Sequence, residues 1–449
     1  MPGSISTISW RTTDRPSLLD ESGRDGRLLL GLYRGLWRVL SPAAGLALRA
    51  RVARGKEEPK RLNERLGIAA RPRPAGTLIW IHGASVGECL SALPLVSRLL
   101  EKEDRHVLVT SGTVTSAKLM AMRLPARAFH QYVPLDRPDA VRRFLEHWRP
   151  NLALFIESEL WPNLLLQSRA SKIPLALVNA RLSEKSFRGW SRAPGLARRL
   201  LSVFDICLAQ DAQVAQRLSA LGARAVQIAG SLKADAPPLP VDAAALSAFR
   251  AAVGDRPLFL AASTHPGEEA TILDVARMHR GLYDDLLTVI VPRHPRRGEA
   301  IAKLAAARGF AVARRAAGAL PASETAVYVA DTLGELGLFY RAAPFAFLGG
   351  SLVRHGGQNP LEPAKLATAI VTGPFTENFA GIFAALLAAQ GDGLVRSKAD
   401  LFRLTSRLIA TPAYAKAQGA KAGAAAEAMS GALERTVDIA EELLAHART

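Results

Sequence analysis

Several features that mark common protein classes are scarce in this sequence. Only two of its 449 residues, Cys89 and Cys207, are cysteines, which is too few for a disulfide framework, and they have no metal-ligand spacing. Aromatic residues make up 6%, charged residues 22% and hydrophobic residues 49%, an ordinary globular composition rather than that of a disordered chain. The length predicts two or three domains with real cores. The low cysteine content predicts a reducing compartment.

Two motifs of phosphate and metal binding are missing as well. The pattern GxxxxGK[ST] does not occur, and neither does any Asp-x-Asp pair. The first absence argues against a P-loop, and the second argues against a dedicated clamp for a metal and a diphosphate. We therefore expect neither a bound metal nor a cofactor.

Acidic residues are scarce relative to basic ones. The chain has 58 Lys and Arg against 40 Asp and Glu, a net charge of +18, which indicates a polyanionic partner such as nucleic acid, an anionic membrane or a phosphorylated substrate. Half of the excess is local, because residues 27–73 contain twelve basic and three acidic residues, a net of +9.

The basic stretch begins with apolar residues at helical spacing: Leu30, Tyr33, Leu36, Trp37 and Leu40. This pattern predicts an amphipathic helix that lies on a membrane surface. A spanning helix is disfavoured because about 20 apolar residues are needed and Arg34, Arg38 and Pro42 intervene. Packing of the helix on its own domain is the alternative.

From residue 77 onward, short apolar runs alternate with stretches of helical period. Such alternation predicts parallel strands joined by crossover helices. The strands are expected in LIWIHGAS, HVLVTSGT, FHQYVP, NLALFIES, PLALVNAR, ICLAQD and AVQIAGS, and then in PLFLAAS, LLTVIVPRH, FAVARR, TAVYVAD, PFAFLGGS and TAIVTGP. Three prolines within residues 236–241 interrupt the two series and predict an interdomain linker.

The predicted organisation is α/β, with two tandem Rossmann-like domains, a cleft between them and an N-terminal amphipathic helix. The expected segments are a disordered extension (1–27), a basic membrane-proximal segment (28–73), an acceptor domain (74–235), the Pro-rich linker (236–241), a donor domain (242–430) and a C-terminal helix (431–449). Ligands are expected at the carboxyl ends of the strands.

Charged residues follow several strands of the first domain. Glu88 lies where a strand turns into a helix, so it is a candidate site residue, although a carboxylate there also caps a helix. Glu157 and Glu159 follow another apolar strand, and Lys233 closes the domain. Such acids are either solvated or paired with a charged group, and Lys233 could meet one of them or a ligand anion.

The second domain has features suited to an anionic nucleotide. Arg293 follows an apolar strand, where it suits a phosphate, and the Gly334–Leu336 turn begins a helix. Four glycines within residues 349–357 would let the backbone approach a ligand. Asn359 and Glu362 lie three residues apart at a helix start, a spacing that suits capping and also ribose hydroxyls.

Nine ordered blocks together resemble the 3-deoxy-D-manno-octulosonic acid (Kdo) transferases of lipopolysaccharide inner-core synthesis. The blocks are HGASVGE, IESELWPN, NARLS, GSLKAD, AASTHPGEE, VPRHP, DTLGEL, GGSLVRHGGQNPLEP and GPFTENF. The resemblance covers about residues 28–430. Departures from the family pattern fall at Gly83, Ala84, Ala234, Pro266, Gln358, Phe375 and Glu377, and none removes a charged residue to which the family gives a role.

The resemblance implies an inverting glycosyltransferase of the two-Rossmann (GT-B) kind that moves Kdo from CMP-Kdo to a lipid A precursor. It gives Glu88 the role of general base, and Glu157 and Lys233 the role of stabilising the transition state. The residues that it implies for CMP binding are Pro292, Arg293, Gly334, Glu335, Leu336, Asn359, Pro360, Leu361 and Glu362. It further implies a place on the cytoplasmic side of the inner membrane, either peripheral or anchored through the N-terminal segment.

Other readings make different use of the same features. Another GT-B nucleotide-sugar transferase with a lipid-linked acceptor would share the fold and the glycine loop but not the nine blocks. A nucleic-acid-binding protein would explain the charge, yet aromatic stacking residues are not interleaved with the basic ones, so no nucleic-acid partner is expected. A catalytically silent membrane scaffold would not need the nucleotide blocks.

Overall fold

The computed structural model describes residues 23–447. These residues divide into two compact units, and the division cuts the sequence twice. The residues up to Asp235 and those from Gly431 onward form the first unit, while Ala236–Ser430 form the second. The Pro-rich residues 236–241, predicted to be a linker, therefore belong to the second unit. The cleft predicted between the domains stays a prediction.

Both units are built on a wholly parallel sheet, as the alternation of apolar runs predicts. The first sheet contains β1 (Thr77–His82), β2 (Arg105–Ser111), β3 (Ala128–Tyr132), β4 (Leu152–Ile156), β5 (Leu175–Ala180), β6 (Ile206–Ala209) and β7 (Val226–Ile228). The second contains β8 (Leu258–Thr264), β9 (Leu287–Pro292), β10 (Val312–Arg314), β11 (Val327–Val329), β12 (Phe345–Leu348) and β13 (Ala369–Thr372). Each of the thirteen strands overlaps a predicted run, and β1, β2, β3 and β8 extend one residue beyond theirs. This agreement confirms the two Rossmann-like α/β domains.

The helices follow the strands in the alternating order expected of crossover connections. They are α1 (Gly23–Ala53), α2 (Leu62–Arg65), α3 (Val86–Leu99), α4 (Val114–Arg123), α5 (Pro138–Trp148), α6 (Pro162–Ala170), α7 (Glu184–Trp190), α8 (Pro194–Leu201), α9 (Ala212–Ala220), α10 (Ala243–Val253), α11 (Glu268–Arg280), α12 (Gly298–Ala307), α13 (Leu336–Ala342), α14 (Leu361–Ala364), α15 (Ala380–Gln390), α16 (Lys398–Ala410), α17 (Pro412–Ala428) and α18 (Ala432–His446).

In each sheet, the direction in which successive strands are added changes once, although all the strands are parallel. The first sheet has the order β3-β2-β1-β4-β5-β6-β7, and the second has the order β10-β11-β9-β8-β12-β13. Connections run outward in opposite directions from β1 and β4, and likewise from β8 and β12. Beyond the carboxyl ends of such strand pairs the diverging loops leave a crevice, which is where ligands bind in open α/β sheets.

Helix α1 corrects two expectations about the N-terminal segment. It begins at Gly23, so residues 23–27 are helical rather than disordered, while residues 1–22 of the predicted extension lie outside the described residues. Leu30, predicted on the membrane-facing side, is only 3% exposed and joins the core of the first unit. The Tyr33 hydroxyl donates to Asp136 Oδ2 at 2.7 Å.

The rest of α1 leaves an apolar stripe uncovered. Leu32, Leu36 and Val39 are 62%, 55% and 76% exposed. The predicted apolar face is therefore divided, with one side packed on the domain and the other open to its surroundings. No helix within residues 23–447 combines the length and the apolar character that a bilayer crossing needs.

Helix α18 completes the first unit although it follows the second unit in sequence. Its buried side chains Val437, Ile439, Leu443 and Leu444 join the apolar cluster formed by α3 and the sheet. The Asp235 carboxylate accepts from the backbone N–H groups of Gly431 and Leu433, at 2.5 and 2.7 Å. Asp235 thus caps α18. It is the last residue before the chain enters the second unit, and α18 begins where the chain returns to the first.

Candidate functional site

Glu88 lies in the first turn of α3, directly beyond β1. Ser85 caps this helix, and the Glu88 carboxylate in turn accepts from the Ala84 N–H and the Ser85 hydroxyl, both at 2.7 Å. This reciprocal arrangement is a variant of the capping box in which the carboxylate reaches the N–H before the N-cap residue. It holds the carboxylate in one orientation while the side chain stays 9% exposed.

The environment makes Glu88 more basic than an ordinary glutamate. Burial raises the pKa of its carboxyl, and the negative charges of Glu159 and Glu157 raise it further. The hydrogen bonds from Ser85 and Ala84 oppose this shift without cancelling it. A carboxylate with a raised pKa is a better proton acceptor, provided that it remains ionised at the working pH.

Glu157 and Lys233 are brought together from different strand ends. Lys233 Nζ donates to Glu157 Oε1 at 3.2 Å. Glu157 follows β4 in a left-handed backbone conformation, with φ of 62°, which is uncommon for a residue other than glycine and concentrates at functional sites. The sequence left open whether Lys233 would meet an acid or a ligand, and the structure places it beside this acid.

Asn179 supports the Lys233 turn, a role that the sequence analysis missed. It lies near the end of β5 with φ of 52°, and its Oδ1 accepts from the Leu232 N–H at 3.1 Å. The side chain is 1% exposed, and its Nδ2 has no hydrogen-bond partner among residues 23–447. The available signal was an asparagine at a strand end, since asparagine tolerates the left-handed region.

His82 and Glu159 form a second pair beside Glu88, and the sequence analysis assigned a role to neither. Buried His82 Nε2 lies 3.7 Å from Glu159 Oε2, which also accepts from Trp161 Nε1 at 2.6 Å. Burial opposes ionisation of Glu159, but the interaction with His82 and the hydrogen bond from Trp161 outweigh it and lower its pKa. The site therefore contains three carboxylates, at Glu88, Glu157 and Glu159.

The second unit contains a cavity of about 330 Å³ at the carboxyl ends of β8 and β9. Five of the nine residues predicted to bind CMP line this cavity: Arg293, Gly334, Leu336, Asn359 and Glu362. The other lining residues are Leu239, Ser263, Gly337, Gln358 and Phe379, which the sequence analysis did not assign. Residues from six separate segments thus converge on one concave surface.

Glu362 is held as a hydrogen-bond acceptor within this cavity. Asn359 Nδ2 donates to Glu362 Oε1 at 3.2 Å. Burial raises the pKa of the Glu362 carboxyl, whereas the bond from Asn359 and the charge of Arg293 lower it. Arg293 therefore lies close enough to interact electrostatically with Glu362, and the cavity offers a cation for a phosphate and an anion for hydroxyl groups.

Four residues predicted to bind CMP do not line the cavity: Pro292, Glu335, Pro360 and Leu361. Glu335 forms a two-point ion pair with Arg315, with N–O distances of 2.5 and 3.1 Å. This pair lowers the pKa of the Glu335 carboxyl. Leu361 is 1% exposed, so its side chain packs in the protein interior.

The glycine-rich segment does not use its first amides for a ligand. The N–H groups of Gly350, Ser351 and Leu352 all donate to the buried carboxylate of Glu268, at 2.7 to 3.0 Å. A side chain at Gly349 would approach the Ser263 carbonyl oxygen within 2.3 Å. Close backbone packing against β8 therefore accounts for this part of the segment, and the approach of its backbone to a ligand stays a prediction.

The sequence of this chain is similar to known proteins along most of its length. Residues 60–236 match the family model described as 3-Deoxy-D-manno-octulosonic-acid transferase (kdotransferase). A 3-deoxy-D-manno-octulosonic acid transferase from Bordetella pertussis is 37% identical, and the alignment covers 92% of this chain and 99% of the relative. The transferase of the same name from Haemophilus influenzae is 36% identical, with 86% and 92% covered.

Solved structures share the architecture at much lower identity. The UDP-GlcNAc 2-epimerase from Neisseria meningitidis, solved with UDP-GlcNAc bound, superposes with a TM-score of 0.53 at 14% identity, over 82% of this chain and 100% of that one. This likeness concerns the fold alone. The sequence relatives, by contrast, are identical to this chain at more than a third of the aligned positions, and the alignments cover most of its length. This chain therefore belongs to the 3-deoxy-D-manno-octulosonic acid transferase family, whose members are glycosyltransferases.

Proposed function

We propose that this protein transfers Kdo from CMP-Kdo to a lipid A precursor, with inversion at the sugar carbon. Family membership supports the transfer of Kdo and a role in lipopolysaccharide synthesis. The observation that carries the donor assignment is the cavity in the second unit, because Arg293, Asn359 and Glu362 line it together. An anion-binding side chain and a hydroxyl-binding side chain are what a ribonucleoside monophosphate needs.

Glu88 acts as the general base in this proposal. An acceptor hydroxyl is a weak nucleophile at neutral pH and needs to lose its proton as it attacks the sugar carbon. Glu88 is oriented by Ala84 and Ser85 and has a raised pKa. A single displacement by the deprotonated hydroxyl, with CMP leaving from the opposite face, inverts the sugar carbon.

Glu157 and Lys233 stabilise the transition state. Negative charge develops on the phosphate as CMP departs, and the Lys233 ammonium group offsets that charge. The 3.2 Å contact with Glu157 restricts where the lysine nitrogen lies. The left-handed backbone at Glu157 is part of how this geometry is imposed.

The donor nucleotide is held by the second unit. Arg293 binds the phosphate, and Glu362 accepts hydrogen bonds from the ribose hydroxyls, with Asn359 fixing the orientation of that carboxylate. CMP carries one phosphate, so a single arginine balances most of its charge. Glu269 holds Arg297 in a two-point ion pair at 2.6 and 3.0 Å, which leaves Arg293 as the phosphate ligand.

The protein acts at the cytoplasmic side of the inner membrane in this proposal, attached peripherally. The acyl chains of a lipid A precursor remain in the bilayer, so the enzyme must reach the sugar at the surface. The exposed leucines of α1 supply an apolar stripe for shallow insertion. The net charge of +9 in residues 27–73 supplies attraction to anionic lipid.

Product analysis tests the proposed reaction directly. The full-length protein is incubated with a tetraacylated lipid A precursor and with CMP-Kdo made in the same tube, and the lipid products are weighed by mass spectrometry. The expected result is a mass increase of one or more Kdo units that depends on protein and on donor. Replacement of CMP-Kdo by a nucleoside diphosphate sugar should give no product, and transfer from that donor instead would contradict the assignment.

A further inference from the structure

Three histidines from separate loops lie together in the second unit. His265 follows β8, His294 follows β9, and His355 lies in the segment after β12. The ring centroids of His265 and His355 are 3.8 Å apart, and those of His265 and His294 are 6.4 Å apart. His265 is buried at 5% exposure, whereas the other two imidazoles are exposed. This histidine cluster has no part in the mechanism described above.

The histidine cluster adjoins the donor cavity. Gln358 lines the cavity, and its Nε2 donates to His265 Nε2 at 2.9 Å. Because an amide nitrogen only donates, His265 Nε2 must accept, and its proton resides on Nδ1. Ser263 and Arg293 also line the cavity, within two residues of His265 and His294. The imidazoles therefore lie beside the predicted phosphate position.

The charges around the histidine cluster are mainly positive. Burial, together with the neighbouring His355, His294, Arg293 and Arg297, lowers the pKa of His265 to about 4. The two acids at the start of α11 already have other partners, since Glu268 accepts from backbone amides and Glu269 pairs with Arg297. An anion bound beside these imidazoles would relieve the mutual repulsion.

The donor of the proposed reaction carries a second anion to which the roles described above assign no partner. An octulosonic acid has a carboxylate on the carbon that is bonded to the phosphate oxygen, so the carboxylate and the phosphate are neighbours. We propose that His265, His294 and His355 form a subsite that binds the carboxylate of the donor sugar. This inference rests on the proposed function and extends it, because the subsite would select sugar acids over neutral sugars on the same nucleotide.

The test separates recognition of the sugar carboxylate from recognition of the nucleotide. In the full-length protein, His355→Ala and His294→Ala remove exposed imidazoles, so folding should be retained, and His265→Asn removes the buried one. Each variant should raise the KM for CMP-Kdo about 10-fold while the Kd for CMP stays within about twofold. His446→Ala, an exposed histidine of the first unit, serves as the matched control and should change neither quantity.

A comparison of the two ligands supplies a second reading. The unaltered protein should bind CMP-Kdo about 10-fold more tightly than CMP, because the sugar carboxylate adds a charge-assisted contact. In His355→Ala most of this difference should disappear. Equal weakening of CMP and CMP-Kdo, or no change in either, would overturn the subsite. Failure of the unaltered protein to bind CMP would contradict the proposed function itself, so the two failures are distinguishable.

Discussion

At the scale of single residues, the base proposed for the reaction is defined by its neighbours as much as by its own side chain. Glu88 takes part in capping α3, so the helix-capping explanation and the functional one are compatible. Its two hydrogen-bond donors favour ionisation, whereas burial and two nearby carboxylates oppose it. The balance leaves a carboxylate that is both oriented and unusually basic.

Replacement of the base is the first prediction. Glu88→Gln keeps the shape of the side chain but removes proton acceptance, so turnover should fall about 100- to 10,000-fold. The Kd for CMP should not change, because the cavity lies in the other unit. Glu103→Gln makes the same change at an exposed position of the first unit and serves as the control. Near-normal turnover of Glu88→Gln would show that another group accepts the proton.

The charge of Glu159 gives the second prediction. Activity should fall at low pH as Glu88 becomes protonated, and the negative charge of Glu159 raises the pKa at which this happens. Glu159→Gln removes that charge, so the pKa of Glu88 decreases and the acidic limb of the kcat/KM profile should move to lower pH. An unmoved limb, or one displaced to higher pH, would contradict this electrostatic role.

The third prediction concerns the phosphate. Arg293→Ala should weaken CMP binding by about 1–3 kcal/mol, the range for a hydrogen bond to a charged group, as measured by calorimetry. Arg296→Ala is the matched control, since Arg296 is exposed, follows Arg293 by only three residues and does not line the cavity. Equal affinities in the two variants would place the phosphate elsewhere.

At the scale of secondary-structure elements, α1 shows what the spacing of apolar residues can predict and what it cannot. The spacing of its apolar residues predicted a helix, but it did not reveal which side packs on α8 and the domain core. Leu30 is buried and Tyr33 bonds to Asp136, while Leu32, Leu36 and Val39 are exposed. A deletion of the whole segment would remove core contacts, so substitutions on the exposed stripe are the cleaner test of membrane attachment.

The membrane prediction uses that stripe. Leu32→Asp combined with Leu36→Asp should reduce flotation of the protein with anionic liposomes, because it removes apolar area and adds negative charge. High salt should reduce flotation further, and the Kd for CMP should not change. Gln213→Asp with Gln216→Asp on α9 adds the same charge at exposed sites. Undiminished flotation of the stripe variant would show that α1 is structural and that another surface contacts lipid.

At the scale of the whole molecule, the chain contributes to its first unit twice. Helix α18, near the far end of the sequence, packs on α3 and the sheet through Val437, Ile439, Leu443 and Leu444. Burial of each contributes about 1.5–3 kcal/mol. Together they match the whole stability of a typical domain, about 5–15 kcal/mol, so α18 is an integral part of the first unit.

This organisation predicts an asymmetry between fragments. Residues 236–430 should fold alone and bind CMP, because the core cluster around Phe259, Ile290 and Val371 and the donor cavity lie within them. Residues 1–235 should not fold stably until a peptide of residues 431–449 is added. Circular dichroism and calorimetry check both statements. A cooperative unfolding transition for residues 1–235 alone would contradict the role given to α18.

The sequence alone determined the local structure and the family. Apolar runs located all thirteen strands, and the nine motif blocks identified the family and pointed to five of the residues that line the donor cavity. Those inferences succeed because strand formation and motif spacing depend on neighbouring residues. They could place Glu88 and Arg293 at strand ends but not describe what surrounds them.

Only the tertiary structure decided the features that depend on partners distant in sequence. Glu268 occupies the amides of residues 350–352, Arg315 pairs with Glu335, and α18 returns to the first unit. The histidine cluster likewise joins residues 29 to 90 positions apart. Periodicity carries no information about such contacts, because they arise when parallel strands bring the loops at their carboxyl ends to one edge of the sheet.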